Sequence, residues 1–293
     1  MRIGKTQTLT VIRTSEHGVY LGKKDGAEAV LLPKSQVPAG TKAGDELTIF
    51  LYRDSEDRPV ATVKKPAAEV GAFAYLTVKS VTKVGAFLDW GLEKDLFLPY
   101  KEMEEPLKSG RNVMVFLYTD KSDRIAATTK LYEHLKPAPA KSFRKENPFS
   151  GAVYRVNPEV GVFGAVCPKA AALTAGQGYP ELYFGLVPPS EVYSRFHAGD
   201  PLEGRIIRIR EDGKLDLALR KRELEAIRSD AELILKKIRE YGGTLPFSEN
   251  VSPEIIRREF GLSKNAFKKA LGHLYKERKI VIGEDEITLG GSQ

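Results

Sequence analysis

Three aromatic rings stand at matching places in this chain: Tyr20 in His17-Gly18-Val19-Tyr20, Phe87 in Val84-Gly85-Ala86-Phe87 and Phe163 in Val160-Gly161-Val162-Phe163. A ring displayed on a strand face can stack on a nucleobase, because every base offers a π-face, and such contacts tolerate any sequence. Tyr75, Lys79, Tyr100, Tyr154 and Arg155 fall on or beside neighbouring strands and could widen that platform. Cations that could neutralise phosphates come in two groups. Arg208 and Arg210 alternate with Ile207 and Ile209, so the two residue types take opposite strand faces. Lys264, Lys268, Lys269, Lys276, Arg278 and Lys279 face one acid, Glu277, and Lys264 and Lys268, at i and i+4, share a helix face away from Phe267 and Leu271. Each group also has a plainer reading. The rings could fill barrel cores, the other platform residues could be ordinary half-buried barrel positions, and the cations could solubilise a surface; periodicity alone leaves both readings open.

The elements that position these residues are written as a repeat. Gly18, Gly85 and Gly161 lie 67 and 76 residues apart, Pro33, Pro99 and Pro188 lie 66 and 89 apart, and so do Gly44, Gly110 and Gly199. The third copy therefore carries 13 extra residues in its middle loop, within the Ala-, Gly- and Pro-rich stretch Cys167 to Tyr183. The first two copies end alike, Phe50-Leu51-Tyr52-Arg53-Asp54 and Phe116-Leu117-Tyr118-Thr119-Asp120, with Asp57-Arg58 and Asp123-Arg124 in the next turn. Repetition on this scale marks tandem units. In the first copy, strands are expected over Gln7–Ile12, Gly18–Gly22, Val30–Leu32, Glu46–Tyr52 and Val60–Val63, with turns at Asp25-Gly26 and Asp54 to Asp57. The reading is a five-stranded barrel at 1–65, a second at 66–135, a semi-rigid Pro/Ala linker at 136–141 across which the first two copies could move, and a third barrel at 142–222. On the fourth strand the copies diverge: Phe50 and Tyr52 point outward in the first, where the third has arginines.

From Glu223 the period becomes helical. Leu224, Ile227, Ala231, Ile234, Leu235 and Ile238 form an apolar stripe that stops at Tyr241-Gly242-Gly243. Ser252-Pro253 and Ser263 read as helix N-caps, Gly261 as the turn between two helices, and 279–289 as a hairpin, so residues 223–293 form a winged helix-turn-helix. A hydrophobic content of 42% with 29% charged residues and a net charge of +7 describes a soluble globular chain compatible with a polyanion. There is no membrane-length apolar run and no secretory h-region, so the cytoplasm is the expected setting. Cys167 stands alone and reads as a small buried residue, and the histidines at 17, 134, 197 and 273 have no zinc-ligand spacing. With no P-loop, no carboxylate pair and no Ser/His/Asp arrangement, neither enzyme activity nor a cofactor is expected; Asp54 and Asp120 belong to turns rather than to a metal site.

At its repeated motifs the chain resembles the S1-type oligonucleotide-binding fold, which runs Phe-Gly-x-Phe-Val, then Gly-Leu-Val-His-x-Ser, then Gly-Asp and a long strand. Three such copies and a winged helix are similar to the conserved virulence factor B family of bacterial RNA-binding regulators. The pattern's His is replaced by Pro33, Pro99 and Pro188, so a base contact from that His is not expected. The resemblance implies a mainly β fold of three tandem S1-type barrels with a C-terminal α+β domain. It implies single-stranded RNA, mRNA in particular, as partner, stacking by Phe87 and Phe163 foremost, and a role in post-transcriptional control that includes virulence genes in pathogens. Two other readings stand beside it. In one the winged helix reads duplex DNA, although its recognition helix offers lysines and only Asn265 as a base reader. In the other the first two copies bind a protein partner on the ribosome or a nuclease.

Overall fold

The structure, a computed structural model, describes residues 1–23, 28–139, 142–168, 173–192, 195–219, 222–248 and 250–290, with the backbone alone for 222–228. The chain divides into two compact units, Met1–Arg220 and Lys221–Gln293. The first unit holds three barrels. β1 (Thr6–Ser15), β2 (Gly18–Gly22), β3 (Ala29–Pro33), β4 (Glu46–Arg53) and β5 (Pro59–Thr62) close in the order β1-β2-β3-β5-β4. β6 (Phe73–Val81), β7 (Gly85–Asp89), β8 (Leu96–Pro99), β9 (Asn112–Thr119) and β10 (Ile125–Thr128) repeat that order, closed by β6 on β9. The third barrel uses β11 (Pro148–Asn157), β12 (Gly161–Pro168), β14 (Tyr183–Val187), β15 (Pro201–Ile209) and β16 (Leu215–Leu219). The short strand β13 (Gln177–Tyr179), inside the third copy's extra loop, leaves its own barrel and pairs with β6 of the second.

Period-two alternation builds each core. Leu9 and Val11, Val19 and Leu21, Val30 and Leu32, and Ile49 and Leu51 are all buried together in the first barrel. The repeated glycine has a steric cause. Gly18, Gly85 and Gly161 have φ of 142°, 156° and 124°, and a Cβ on each would collide with the carbonyl oxygen of Leu32, Leu98 and Val187 on the facing strand.

Outward rings dock one barrel on the next. Phe50 and Tyr52 face out of the first barrel, as their alternation requires, but they are buried against the second, with Phe50 edge-on to Trp90 at 5.8 Å. Burying one such ring contributes roughly 1.5–3 kcal/mol. The second barrel's outward Phe73, Tyr75 and Met114 in turn pack on Ala152, Tyr154, Ala165 and Cys167 of the third. The repeat position that holds Phe50 and then Phe116 holds Arg205 in the third copy, where it is exposed and bonds Glu146 at 2.8 Å. The stretch read as a linker does not free the barrels. Lys136 N–H donates to Leu182 O, Ala138 N–H donates to Gly213 O, and Ala138 is buried in the third barrel's cluster, so this segment is part of that barrel. Ala140 and Lys141, at its end, and the expected turn at Asp25-Gly26 lie outside the described residues.

The second unit orders α1 (Arg222–Glu240), β17 (Thr244–Leu245), α2 (Pro253–Phe260), α3 (Lys264–Lys276), β18 (Ile280–Ile282) and β19 (Ile287–Leu289). Ser252 Oγ accepts from Ile255 N–H and Ser263 Oγ from Ala266 N–H, and Gly261 ends α2 at φ 68°. Ala231, Ile234 and Ile238 bury against Phe267 and Leu271, while Leu224 and Ile227 of the same expected stripe lie outside the described side chains. β17 adds a third strand, on β19, that the hairpin reading lacked.

Candidate nucleic-acid interface

In each barrel the motif ring belongs to a row of lateral neighbours running over five strands on the outer surface. The first row is Arg13, Tyr20, Leu31, Val60 and Tyr52. The second is Ser80, Phe87, Phe97, Ala126 and Tyr118. The third is Arg155, Phe163, Leu186, Asp216 and Arg208. The three rings are half-buried, which places them on the barrel surface rather than in the cores. A bulge on the first strand of every row sets its opening residue, Arg13, Ser80 or Arg155, beside the ring.

The rows differ in what surrounds the ring. The Arg13 guanidinium lies 3.6 Å from the centre of Tyr20 and covers it, while Val60 and Tyr52 are buried. Phe87 and Phe97 form a tilted pair at 5.3 Å. That pair opens onto a cavity of about 330 Å³ that also takes in Trp90 and, from the first barrel, Tyr52 and Ser55; pockets for small organic groups run to about 300–1,000 Å³. The cations beside it are engaged. Arg124 Nε donates to Asp57 Oδ1 at 2.7 Å, Lys94 Nζ donates to the carbonyls of Arg53 and Asp54, and Arg53 Nη1 donates to Asp57 O. The pair with Arg124 holds the Asp57 carboxyl below its usual range. Asp54 and Asp120 serve their turns, each accepting two backbone N–H groups.

The third row is charged at both ends and exposed there. Arg155 sits 4.9 Å from the Phe163 ring centre, and neither Arg155 nor Arg208 has an ion-pair partner among the described residues. Arg210, expected beside Arg208 for phosphate, instead closes on Asp216, with Nε 2.8 Å from Oδ1, because the strand ends at Ile209 and a bulge after Ile206 breaks the alternation. Tyr75 and Tyr154, expected to extend the platform, are buried where the second and third barrels meet. Tyr75 Oη donates to Gly199 O at 2.7 Å, and burial pushes the Tyr154 phenol up to about 12. Strand periodicity showed correctly that they point out of their own barrels, but it could not show that another barrel covers them. Lys79 is exposed and paired with Asp95 at 2.7 Å, and Tyr100 is exposed on the turn after Pro99. Cys167 is buried, its thiol pushed up to about 11 by burial.

Repeat arithmetic could have flagged Phe97, the Leu31 and Leu186 equivalent; Arg13 and Arg155 match only in strand register, because the repeat spacing carries Arg13 to Val156. Tyr132, Phe184 and Lys214 also gather on the third barrel, and no motif pointed to them.

In the second unit, Lys268 and Lys269 are exposed and Lys264 is half-buried. α3 has no acid in its first turn, whereas α2 has Glu254. Lysine there opposes the helix dipole and adds to the positive potential at that end. Glu277 engages Lys279 at 2.8 Å at the other end of the helix. The tip of the β18–β19 wing carries exposed Glu284, Asp285 and Glu286.

Comparison with known proteins identifies the domain types and the family. The S1 domain family model matches residues 3–64 and 70–130, and the CvfB-like winged helix domain model matches 232–289. YitL of Bacillus subtilis is 30% identical, the match covering 96% of this chain and 91% of that protein. Conserved virulence factor B of Staphylococcus epidermidis is 28% identical over 98% of this chain and 94% of its own. The chain belongs to the conserved virulence factor B family. A crystal structure of a multidomain protein with nucleic acid binding domains from Streptococcus pneumoniae superposes with a TM-score of 0.50 at 27% identity, covering 98% of both chains. Members of this family thus combine S1 and winged-helix domains of nucleic-acid-binding type, which are not enzyme families. Among the described residues no helix is long and apolar enough to cross a membrane.

Proposed function

We propose that this protein is a non-enzymatic binder of single-stranded RNA, messenger RNA first among its partners, in the cytoplasm. It holds the strand by stacking on the barrel rings and by Lys and Arg contacts to phosphate. The carrying observation is the third row, in which a surface ring, Phe163, lies beside Arg155, and neither Arg155 nor Arg208, at the two ends of the row, has an ion-pair partner among the described residues. Stacking with phosphate neutralisation gives affinity with little base-edge readout. The lysines at the start of α3 add phosphate contacts. As a family relative of proteins called conserved virulence factor B, it would act in post-transcriptional control of gene expression, of virulence genes where the host cell is a pathogen. The duplex-DNA reading is weakened by the acidic wing tip, whose three carboxylates would oppose a phosphate backbone.

Fluorescence anisotropy of the intact protein on single-stranded RNA and on duplex DNA of matched length, at low and high salt, tests this. Tighter, salt-sensitive RNA binding that weakens in Phe163→Ala and in a Lys264/Lys268/Lys269→Ala variant is expected. Duplex preference would turn the case to DNA regulation, and no binding to either nucleic acid would turn it to a protein adaptor.

A further inference from the structure

We propose that Tyr132, Phe184 and Lys214 form a second base-stacking subsite, built jointly by the tail of the second copy and the third barrel, for a nucleobase of single-stranded RNA. The subsite deepens the function proposed above and rests on that reading.

Phe184 lies opposite Ala165 and Phe163 opposite Leu186, so Phe184 is the diagonal neighbour of Phe163 on the same outer face. Diagonal positions of this kind sit roughly 7–8 Å apart. The Tyr132 ring meets Phe184 at 5.1 Å and an angle of 57°, and Lys214 Nζ lies 6.0 Å from the Tyr132 centre and 5.6 Å from that of Phe184. Lys214 also pairs with Asp212 at 3.2 Å, which raises its pKa and keeps it cationic beside the rings. Tyr132 is 53% exposed, so its ring does little for any core.

Its placement is nevertheless fixed. Tyr132 rides on the turn Leu131–Glu133, whose Leu131 is fully buried between the second and third barrels. Leu135 N–H donates to Leu131 O at 3.0 Å and Lys136 N–H to Leu182 O at 3.1 Å, tying the turn to the start of β14. His134, next in sequence, stacks on Phe116 at 3.8 Å. An exposed ring held rigid on both sides loses little entropy when a base lands on it. An isolated barrel would lack this ring, since Tyr132 precedes β11 and follows the last strand of the second copy. With Arg155 and Phe163 on one flank and Lys214 on the other, the face alternates cation and ring as a strand with alternating base and phosphate demands.

The test uses the full chain with a short fluorescein-labelled oligo(U) and the same oligomer carrying 4-thiouridine. Tyr132→Ala is expected to weaken binding by about 5- to 150-fold, the range one base–aromatic stack spans, with an unchanged Tm, while Tyr132→Phe and Tyr132→Trp retain affinity. Photocrosslinks should fall on the peptide containing Tyr132 or on that containing Phe184. Wild-type-like affinity in Tyr132→Ala with crosslinks elsewhere would overturn the subsite, even if Phe163→Ala weakens binding and the general function stands. Absence of RNA binding by the wild-type chain would instead bring down the function on which the subsite rests. Failure of Tyr132→Trp to restore affinity would overturn stacking as the role of the ring.

Discussion

The second and third barrels share a fold and a motif ring, but they use the surface around the ring differently. In the second, Phe87 and Phe97 look into a cavity whose nearby cations, Lys94 and Arg124, hold the first barrel's turn in place. In the third, Arg155 and Arg208 stand exposed at the ends of the row with no ion-pair partner among the described residues. The same contrast runs through the docking faces. Phe50 of the first copy is buried by the next barrel, while its counterpart in the third copy, Arg205, meets solvent and Glu146. In a tandem array each unit gives up the surface on which its neighbour docks and keeps the rest. The lesson is that equal motifs do not make equal sites: what a neighbour leaves free decides which copy can meet a polyanion.

The largest expected effect breaks the docking side of this contrast. Phe50→Ala should cost about 3–5 kcal/mol, the usual loss for a buried Phe, and Arg205→Ala should change stability by no more than about 0.5 kcal/mol; urea unfolding of both variants reads the difference. On the binding side, Phe163→Ala should lose roughly 1–3 kcal/mol of affinity for single-stranded RNA, with Phe87→Ala losing less, measured by anisotropy. Removing Arg155 and Arg208 together should reduce the salt slope of binding by about 1.4, from about 0.7 per phosphate on a single strand. Arg124→Ala should leave that slope unchanged, because its charge already serves Asp57. If the two slopes fall equally, the division of labour between the barrels is wrong.

The two junctions should also part company with pH. Burial lowers the pKa of His134, stacked on Phe116 where the second barrel meets the third, below the ordinary imidazole value of 6.5. The folded state therefore prefers the neutral ring, and this contribution to stability is present above 6.5 and lost as pH falls through the lowered folded value. Asp57, at the junction of the first and second barrels, is shifted below 3.8 by its hydrogen bond with Arg124. Its contribution is present above 3.8 and lost only in more acid solution. Hydrogen exchange between pH 7.5 and 5 should show the His134 junction loosening first, and His134→Asn should remove that pH dependence. The smallest effect belongs to Asp57→Asn: an exposed ion pair adds little to stability, and Asn tolerates the left-handed backbone of this position, so its urea midpoint should barely move.

The repeat arithmetic made the barrels legible because backbone sterics leave a trace in sequence. A glycine whose Cβ would strike the facing carbonyl has to recur in every copy, as Gly18, Gly85 and Gly161 do. Caps were legible for the same local reason, as Ser252, Ser263 and Gly261 show. The rings Tyr20, Phe87 and Phe163 were rightly placed on strands by period two, and the resemblance to S1 domains favoured the surface. The three-residue strand β13 left no such trace, being too short to show a period and dependent on a free edge of β6 in another copy. Tyr132 lies in a tail that the repeat does not reach.

The sequence by itself thus determined which residues turn inward or outward within each barrel, since alternation and turn chemistry are local. It did not determine whether outward meant exposed. Tyr75 and Tyr154 point out of their barrels and are buried by one another's barrels, and Arg210, two residues past Arg208, swings onto Asp216. Gly199 shows the same division at one repeat position. Its counterparts Gly44 and Gly110 have open space where a Cβ would go, but at Gly199 a Cβ would strike the Asn112 carbonyl of the second barrel. Burial by another copy is a non-local event, fixed by how whole barrels fit together, and only the tertiary structure carries it.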